Sequence, residues 1–108
     1  MLDLKERIAH ELKNLDFMND PEATDKQEEL TAMSISCDAA IIFAERHAEL
    51  AEKMAGNETD PKRKEELKKI AEICRWVPAH APRTYWEAKQ MYWFIHPGTI
   101  TKHNKWDA

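Results

Sequence analysis

The sequence predicts an all-α fold, and three features of its 108 residues support this prediction. Glycine is rare, with only two in the chain. Apolar residues recur every three or four positions over long stretches, which is the period of a helix with one buried face. β-Branched residues form no alternating run before the C-terminal tail, so strands are not expected. We expect one domain over residues 1–108, a four-helix bundle-like array with helices at about 2–15, 21–55, 61–76 and 84–96 and a short irregular tail.

An aspartate–proline pair separates the first two predicted helices. Asp20 can accept hydrogen bonds from the free N–H groups that begin a helix, and Pro21 suits the first helical position because it has no donor to satisfy. The second helix should therefore begin at Pro21 and continue to Gly56, which can adopt the left-handed conformation that commonly ends a helix. The predicted buried stripe of this helix consists of Leu30, Met33, Cys37, Ala40, Ile41, Ala44, Ala48, Ala51 and Met54.

The third and fourth predicted helices also carry start signals. Asp60 and Pro61 repeat the aspartate–proline arrangement, and Pro78 is expected to stop the third helix. Thr84 and Glu87 have the spacing of a capping box, in which each side chain accepts from the other residue's backbone N–H.

The fourth helix is apolar around nearly its whole circumference, and a small bundle can hardly bury all of its rings. We therefore expect part of this helix, over 84–96, to be a surface for a second copy of the chain or for a helical partner. The residues assigned to this interface are Tyr85, Trp86, Tyr92, Trp93 and Phe94.

Composition limits the partners and the compartment. The formal net charge is −4, and basic residues are mixed with acidic ones, so nucleic acid is not an expected partner. The sequence has no apolar run of about eighteen residues, and its first fifteen residues are charged throughout, so neither a membrane span nor a secretory signal is expected. The expected location is the cytoplasm, with Cys37 and Cys74 reduced and buried.

Few residues suggest chemistry. The five histidines show no metal-binding spacing, two isolated glycines cannot form a phosphate loop, and no nucleophile–base pair is evident, so no catalytic residue, metal or cofactor is predicted. Asp38 is the exception, because it occupies the least polar part of the second helix, where a carboxylate needs a partner. It could pair with an Arg or Lys at the edge of the bundle, or it could contact a substrate.

Three stretches of the chain resemble the glycyl radical enzymes, the pyruvate formate-lyase-like family. They read "CDAAIIFAERHAELA", "ETDPKRKEELKKIAEICRWVP" and "PRTYWEAKQMYWF". The order and spacing of these stretches agree with the family over about residues 15–108. The resemblance implies a lyase, dehydratase, decarboxylase or formate acetyltransferase several hundred residues long, in which a ten-stranded barrel encloses a catalytic Cys and a radical-bearing Gly.

The family's radical chemistry is not expected from these 108 residues alone. Cys37 and Cys74 do not match the catalytic Cys motif, and Gly56 and Gly98 lack the sequence that surrounds the radical Gly. The resemblance instead implies the helical layer that flanks the barrel.

The resemblance also suggests which residues would lie nearest the substrate pocket. Asp38 and Asp107 are the two positions for which it implies substrate contact. Several positions depart from the family pattern, largely toward basic or polar residues, which suggests a free-standing derivative of the segment: Lys89, Pro97, Lys102, His103 and Lys105.

Two competing functions remain open beside this one. The chain could be a stand-alone interaction or oligomerisation module that uses the aromatic fourth helix, since exposed Trp and Tyr often anchor interfaces. A small independent enzyme is disfavoured by the missing catalytic constellation.

Overall fold

The computed structural model describes the backbone of residues 1–103 and the side chains of residues 1–99. The described chain forms four helices, α1 (Leu2–Lys13), α2 (Ala23–Asn57), α3 (Pro61–Trp76) and α4 (Tyr85–His103), and contains no strand. The predicted all-α class is therefore confirmed. The molecule is elongated, with extents of 63 × 29 × 23 Å.

The long helix α2 is the central element of the molecule. Its 35 residues correspond to about 52 Å at the usual helical rise, and each of the other helices packs against it. The short connection 58–60 returns the chain so that α3 runs antiparallel to α2. Where α2, α3 and α4 meet, the buried core cluster consists of Ala44, Ala48, Cys74 and Phe94, with Ile70 packed against it.

Helix α2 is apolar on two sides. The side toward its neighbours buries small residues, which allow close packing: Cys37, Ala44, Ala48, Ala51 and Ala55. Successive residues of a helix are rotated by about 100° around its axis, which places a second group of larger side chains on the other side of α2. These side chains are exposed: Ile35, Ile42, Phe43, Leu50 and Met54. The buried stripe was therefore predicted correctly for Cys37, Ala44, Ala48 and Ala51. Ala40 is half-buried, and Met33 and Met54 are exposed.

The ends of α1 and α2 differ from the sequence prediction. Helix α1 ends at Lys13 and not at residue 15. Pro21 lies in a turn, and α2 begins at Ala23. Asp20 still caps this region, since its carboxylate accepts from the Glu22 N–H at 2.9 Å and its carbonyl accepts from the Ala23 N–H at 3.2 Å. Residues 21 and 22 form a turn between the capping Asp20 and the first residue of α2, whereas the Asp–Pro pattern predicts that the helix begins at the proline itself.

The predicted left-handed glycine at the end of α2 is wrong. Gly56 remains helical and has no positive φ, and α2 ends at Asn57 because Glu58 is extended. The turn into α3 is organised by side chains instead. The Glu58 carboxylate accepts from the Thr59 and Asp60 N–H groups at 3.0 and 3.1 Å. Asp60 then accepts from the Lys62 N–H at 3.1 Å, which confirms it as the N-cap of α3.

Helix α4 is longer than predicted. It begins at Tyr85 and passes through Pro97 and Gly98 to His103, whereas the prediction ended it at residue 96. A proline inside a helix removes one backbone donor, so the continuation of α4 through Pro97 is unusual. In the turn around it, the Thr99 hydroxyl donates to the Ile95 carbonyl at 2.9 Å.

Helix α1 is held at two places. The Met1 amino group donates to the carbonyls of Pro78 and Ala79 at 2.9 and 3.2 Å, and the Leu2 N–H donates to Ala79 at 3.0 Å. Farther along, Ile8 is buried. Among the helices that the structure describes, none has the length and apolar character needed to cross a membrane.

Candidate functional site

Asp38, the polar residue singled out from the sequence, forms an ion pair with Lys5 of α1. Its side chain is 47% exposed, and that of Lys5 is 33% exposed. The cationic partner expected of a structural carboxylate is thus present, and it lies across the α1–α2 contact. Asp107, the second residue proposed for substrate contact, lies outside the described residues.

An apolar cleft of about 670 Å³ lies between α1, α2 and α4. Its lining includes Leu4 of α1, Met33, Ala40 and Phe43 of α2, and Ile95 and Pro97 of α4. No Asp, Glu, Lys or Arg side chain of the described residues lines it.

The two hydroxyl groups at this cleft already donate to backbone carbonyls. Ser36 bonds Ala32 at 3.1 Å, and Thr99 bonds Ile95 at 2.9 Å. The cleft therefore offers an almost uniformly apolar wall.

This cleft was not predicted from the sequence. The available signal was the pair of small residues Ala39 and Ala40 on α2, together with the continuation of α4 past Pro97. Because the prediction ended the fourth helix at residue 96, the wall formed by Pro97, Gly98 and Thr99 was not anticipated.

The predicted aromatic surface on α4 is divided in two by the fold. Tyr85, Trp86, Tyr92 and Trp93 are all exposed, with Tyr85 reaching 76%. Phe94 instead belongs to the core cluster and is 2% exposed.

Trp93 lies at the junction between the surface of α4 and the core. Its ring is parallel to that of Phe43, with centroids 6.2 Å apart, and it meets the ring of His47 edge-on at 5.5 Å. The Nδ1 atom of His47 lies 2.9 Å from the Phe43 carbonyl. These contacts connect the exposed side of α4 to the exposed side of α2.

A compact polar cluster turns the chain from α3 into α4. The Glu87 carboxylate is almost fully buried and accepts from the Arg83 N–H and from its guanidinium, each at 2.8 Å. The guanidinium carbon lies 3.8 Å from the centre of the Trp76 ring, and the Trp76 indole N–H donates to the Ala81 carbonyl at 2.7 Å.

The predicted capping box is only half formed in this cluster. The Glu87 N–H donates to the Thr84 hydroxyl at 3.1 Å, as expected. The Glu87 carboxylate, however, bonds the backbone of Arg83 and not that of Thr84. The carboxylate also accepts from the Arg83 guanidinium, and this contact places it beside the Arg83 N–H instead of the Thr84 N–H. These hydrogen bonds, first from the side chain and then from the backbone of Arg83, hold the pKa of Glu87 below its ordinary value.

Both cysteines are free and buried, as predicted. Burial raises the pKa of the Cys74 thiol, which disfavours the reactive thiolate. Among residues whose side chains are described, no group of three His, Cys, Asp or Glu is arranged to hold a metal ion.

The family model described as pyruvate formate lyase-like matches residues 1–108. Trans-4-hydroxy-L-proline dehydratase of Clostridioides difficile is 53% identical over 107 residues, which cover 99% of this chain and 14% of that protein. Isethionate sulfite-lyase of Nitratidesulfovibrio vulgaris is 41% identical over 112 residues, which cover 96% of this chain and 14% of the relative.

A solved structure gives the same result. The crystal structure of the Clostridioides difficile hydroxyproline dehydratase, with trans-4-hydroxy-L-proline bound, superposes with a TM-score of 0.89 at 53% identity. The match covers 93% of this chain and 13% of that one. This chain therefore spans about one seventh of the length of these relatives. Sequence and fold agree over essentially its whole length, and the chain belongs to the pyruvate formate lyase-like family of glycyl radical enzymes.

Proposed function

We propose that this chain is a helical part of a glycyl radical dehydratase or lyase and that it does not carry out the reaction alone. The observation that carries the proposal is the 53% identity over 99% of the chain, combined with its coverage of only 14% of the hydroxyproline dehydratase. The burial of Cys37 and Cys74 also supports the proposal, because each residue is at most 4% exposed and Cys37 is only a minor part of the wall of the apolar cleft.

In this proposal the four helices form a supporting layer for the reactive part of the enzyme. The exposed large apolar residues of α2 and α4 favour such a role, since extensive exposed apolar surface often marks a site of interaction. Substrate contact through Asp38 or Asp107 stays a prediction, and the Lys5–Asp38 ion pair favours a structural role for Asp38.

A segment exchange tests the proposal. The matching segment of the Clostridioides difficile hydroxyproline dehydratase is replaced by this sequence, and consumption of trans-4-hydroxy-L-proline by the activated chimera is measured. We expect turnover within about tenfold of the parent enzyme, which corresponds to a change of about 1.4 kcal/mol in barrier. The isolated chain is expected to give no turnover.

Two results would contradict the proposal. A chimera that is folded and activated but does not consume substrate would show that the segment cannot replace its relative. Turnover by the isolated chain would show that the chain holds a catalytic site of its own. A chimera carrying the parent segment, rebuilt through the same cloning junctions, controls for damage at the joints.

The alternative function is a free-standing interaction module, which the exposure of Trp86 and Trp93 favours. Sedimentation of the isolated chain distinguishes the two functions. A well-folded oligomer that becomes monomeric in both Trp86→Ala and Trp93→Ala would support the module. A monomer with the wild-type sedimentation coefficient in both variants would exclude it.

A further inference from the structure

The cleft between α1, α2 and α4 has the properties of a surface that another chain segment covers. Its volume of about 670 Å³ is within the range of binding sites, roughly 300–1,000 Å³. If water filled it, about twenty molecules would lie against walls that offer them few hydrogen bonds, since each water takes about 30 Å³. An apolar occupant would release this water and gain packing contacts with Met33, Phe43 and Ile95.

The lining specifies the chemistry of the occupant. No acidic or basic side chain of the described residues faces the cleft, and its two hydroxyl groups are bonded to backbone carbonyls. The Met1 amino group, on a residue that also lines the cleft, already donates to the Pro78 and Ala79 carbonyls. A charged or strongly polar occupant would therefore lose its hydration and find few partners among the described residues. Ala39, Ala40 and Gly98 add small residues at the cleft, and a Cβ atom added at Gly98 would meet nothing within 4 Å. Aliphatic or aromatic side chains can approach closely here.

The length of the relatives indicates where such a segment comes from. This chain accounts for 14% of the hydroxyproline dehydratase and 14% of the isethionate sulfite-lyase, so about six sevenths of each relative lies outside it. Building on the proposed function, we infer that an apolar segment from that remaining part of the enzyme occupies the cleft, with aliphatic or aromatic side chains inserted between α2 and the end of α4.

Cysteine labelling tests this inference at two points of the cleft. Ala39→Cys places a thiol on α2, and Thr99→Cys places one on α4; both residues line the cleft and are exposed. Glu65→Cys is the control, because Glu65 is exposed on the charged face of α3, where it pairs with Lys68 at 3.8 Å. Each variant is made in the isolated chain and in the chimera with the Clostridioides difficile enzyme. Alkylation by iodoacetamide is measured by peptide mapping, which separates the introduced thiols from the native ones.

We expect the alkylation rate to differ between the isolated chain and the chimera only for the two thiols at the cleft. In the isolated chain all three introduced thiols react at similar rates. In the chimera, Ala39→Cys and Thr99→Cys react at least about tenfold more slowly, because a covered thiol is inaccessible to the reagent, while Glu65→Cys is unchanged.

Three results would overturn the inference. An active chimera in which both cleft thiols react as fast as in the isolated chain would leave the proposed function standing and show that the cleft stays open. Protection already present in the isolated chain would assign the cleft to the chain's own residues if it persists on dilution, and to a second copy if dilution removes it. A folded chimera without activity would refute the proposed function, and the inference with it.

Discussion

Among the described residues, Glu87 is the only charged residue that is buried, and its side chain fixes the turn between α3 and α4. Its carboxylate receives hydrogen bonds from the backbone and the guanidinium of Arg83, and the guanidinium in turn covers Trp76. His80 stacks on the same indole, with ring centroids 4.2 Å apart. The junction of α3 and α4 is therefore fixed by a connected polar and aromatic cluster.

We expect Glu87→Gln to lower the midpoint of thermal unfolding at pH 7, because the variant removes the charge that Arg83 stabilises. The folded-state pKa of Glu87 is lowered, so the carboxylate's contribution to stability is complete above the unfolded pKa, near 4.5. It is lost as the pH falls through the lowered folded pKa. Thermal unfolding followed by circular dichroism from pH 7 to pH 3 should therefore show a difference between wild type and variant that shrinks toward acid.

The exposed Glu65→Gln variant is the control for this experiment, since Glu65 pairs with Lys68 at the surface of α3. A difference between Glu87→Gln and wild type that persists unchanged at pH 3 would contradict the role assigned to the ionised carboxylate.

Asp38 shows how much could be predicted from the sequence for a single residue. An acid within an apolar stretch indicated that a partner was needed, and Lys5 is that partner. The sequence could not identify Lys5 in advance, because the two residues are 33 positions apart and the pairing depends on how α1 packs against α2. Glu87 is a different case, because its capping signal was recognised while its partner Arg83, only four residues away, was not.

At the scale of elements, α2 depends on close packing of small residues. Ala48 is fully buried and lies in the cluster with Cys74 and Phe94. A larger side chain there has no space without moving α3 or α4.

We expect Ala48→Leu to reduce the free energy of unfolding by about 1–3 kcal/mol, which is the usual range for overpacking a filled core. Ala32→Leu, at an exposed position of the same helix, should change it by less than about 0.5 kcal/mol. Urea unfolding of both variants measures the difference. Equal stability of the two variants would mean that the α2–α3–α4 contact is looser than described.

Helix periodicity, the aspartate caps and the Thr84–Glu87 capping box predicted all four helices, because these signals are local. The errors also have local causes. Gly56 was assigned its most frequent role as a helix terminator, and the fourth helix was ended at residue 96, yet Gly56 and Pro97 both lie inside helices. The cleft was not predicted because it depends on how three helices pack, and the small residues Ala39 and Ala40 alone do not define that packing. The division of the α4 aromatics into a buried Phe94 and an exposed Trp93 likewise follows from the docking of α4 on α2.

At the scale of the whole molecule, the helices are unequally secured. Helix α3 packs along α2 and contacts α4, while α1 packs against α2 and bonds the segment that follows α3. Ile8 is the one residue of α1 that is buried. Local opening of α1 should therefore require less free energy than opening of the α2–α3 hairpin.

Native-state hydrogen exchange measures this difference in opening free energy. We expect amides of α1 to exchange at least about tenfold faster than those at the centre of α3, which corresponds to a difference of roughly 1.4 kcal/mol in opening free energy. Asp38→Asn, which weakens the ion pair with Lys5, should accelerate exchange in α1 and leave α3 unchanged. Equal protection of α1 and α3 in the wild-type chain would contradict this description.

The two apolar sides of α2 also affect how mutational tolerance is interpreted. Substitutions at Ala44 or Ala48 disturb contacts that the isolated chain already makes, so a stability screen on this chain detects them. Polar substitutions at Ile35, Ile42 or Leu50 affect residues that are about half or more exposed here, and they would be scored as close to neutral. If the remainder of the enzyme packs against that side, the same substitutions become damaging there. A tolerance map measured on the isolated chain would thus describe one side of its longest helix correctly and underestimate the constraint on the other.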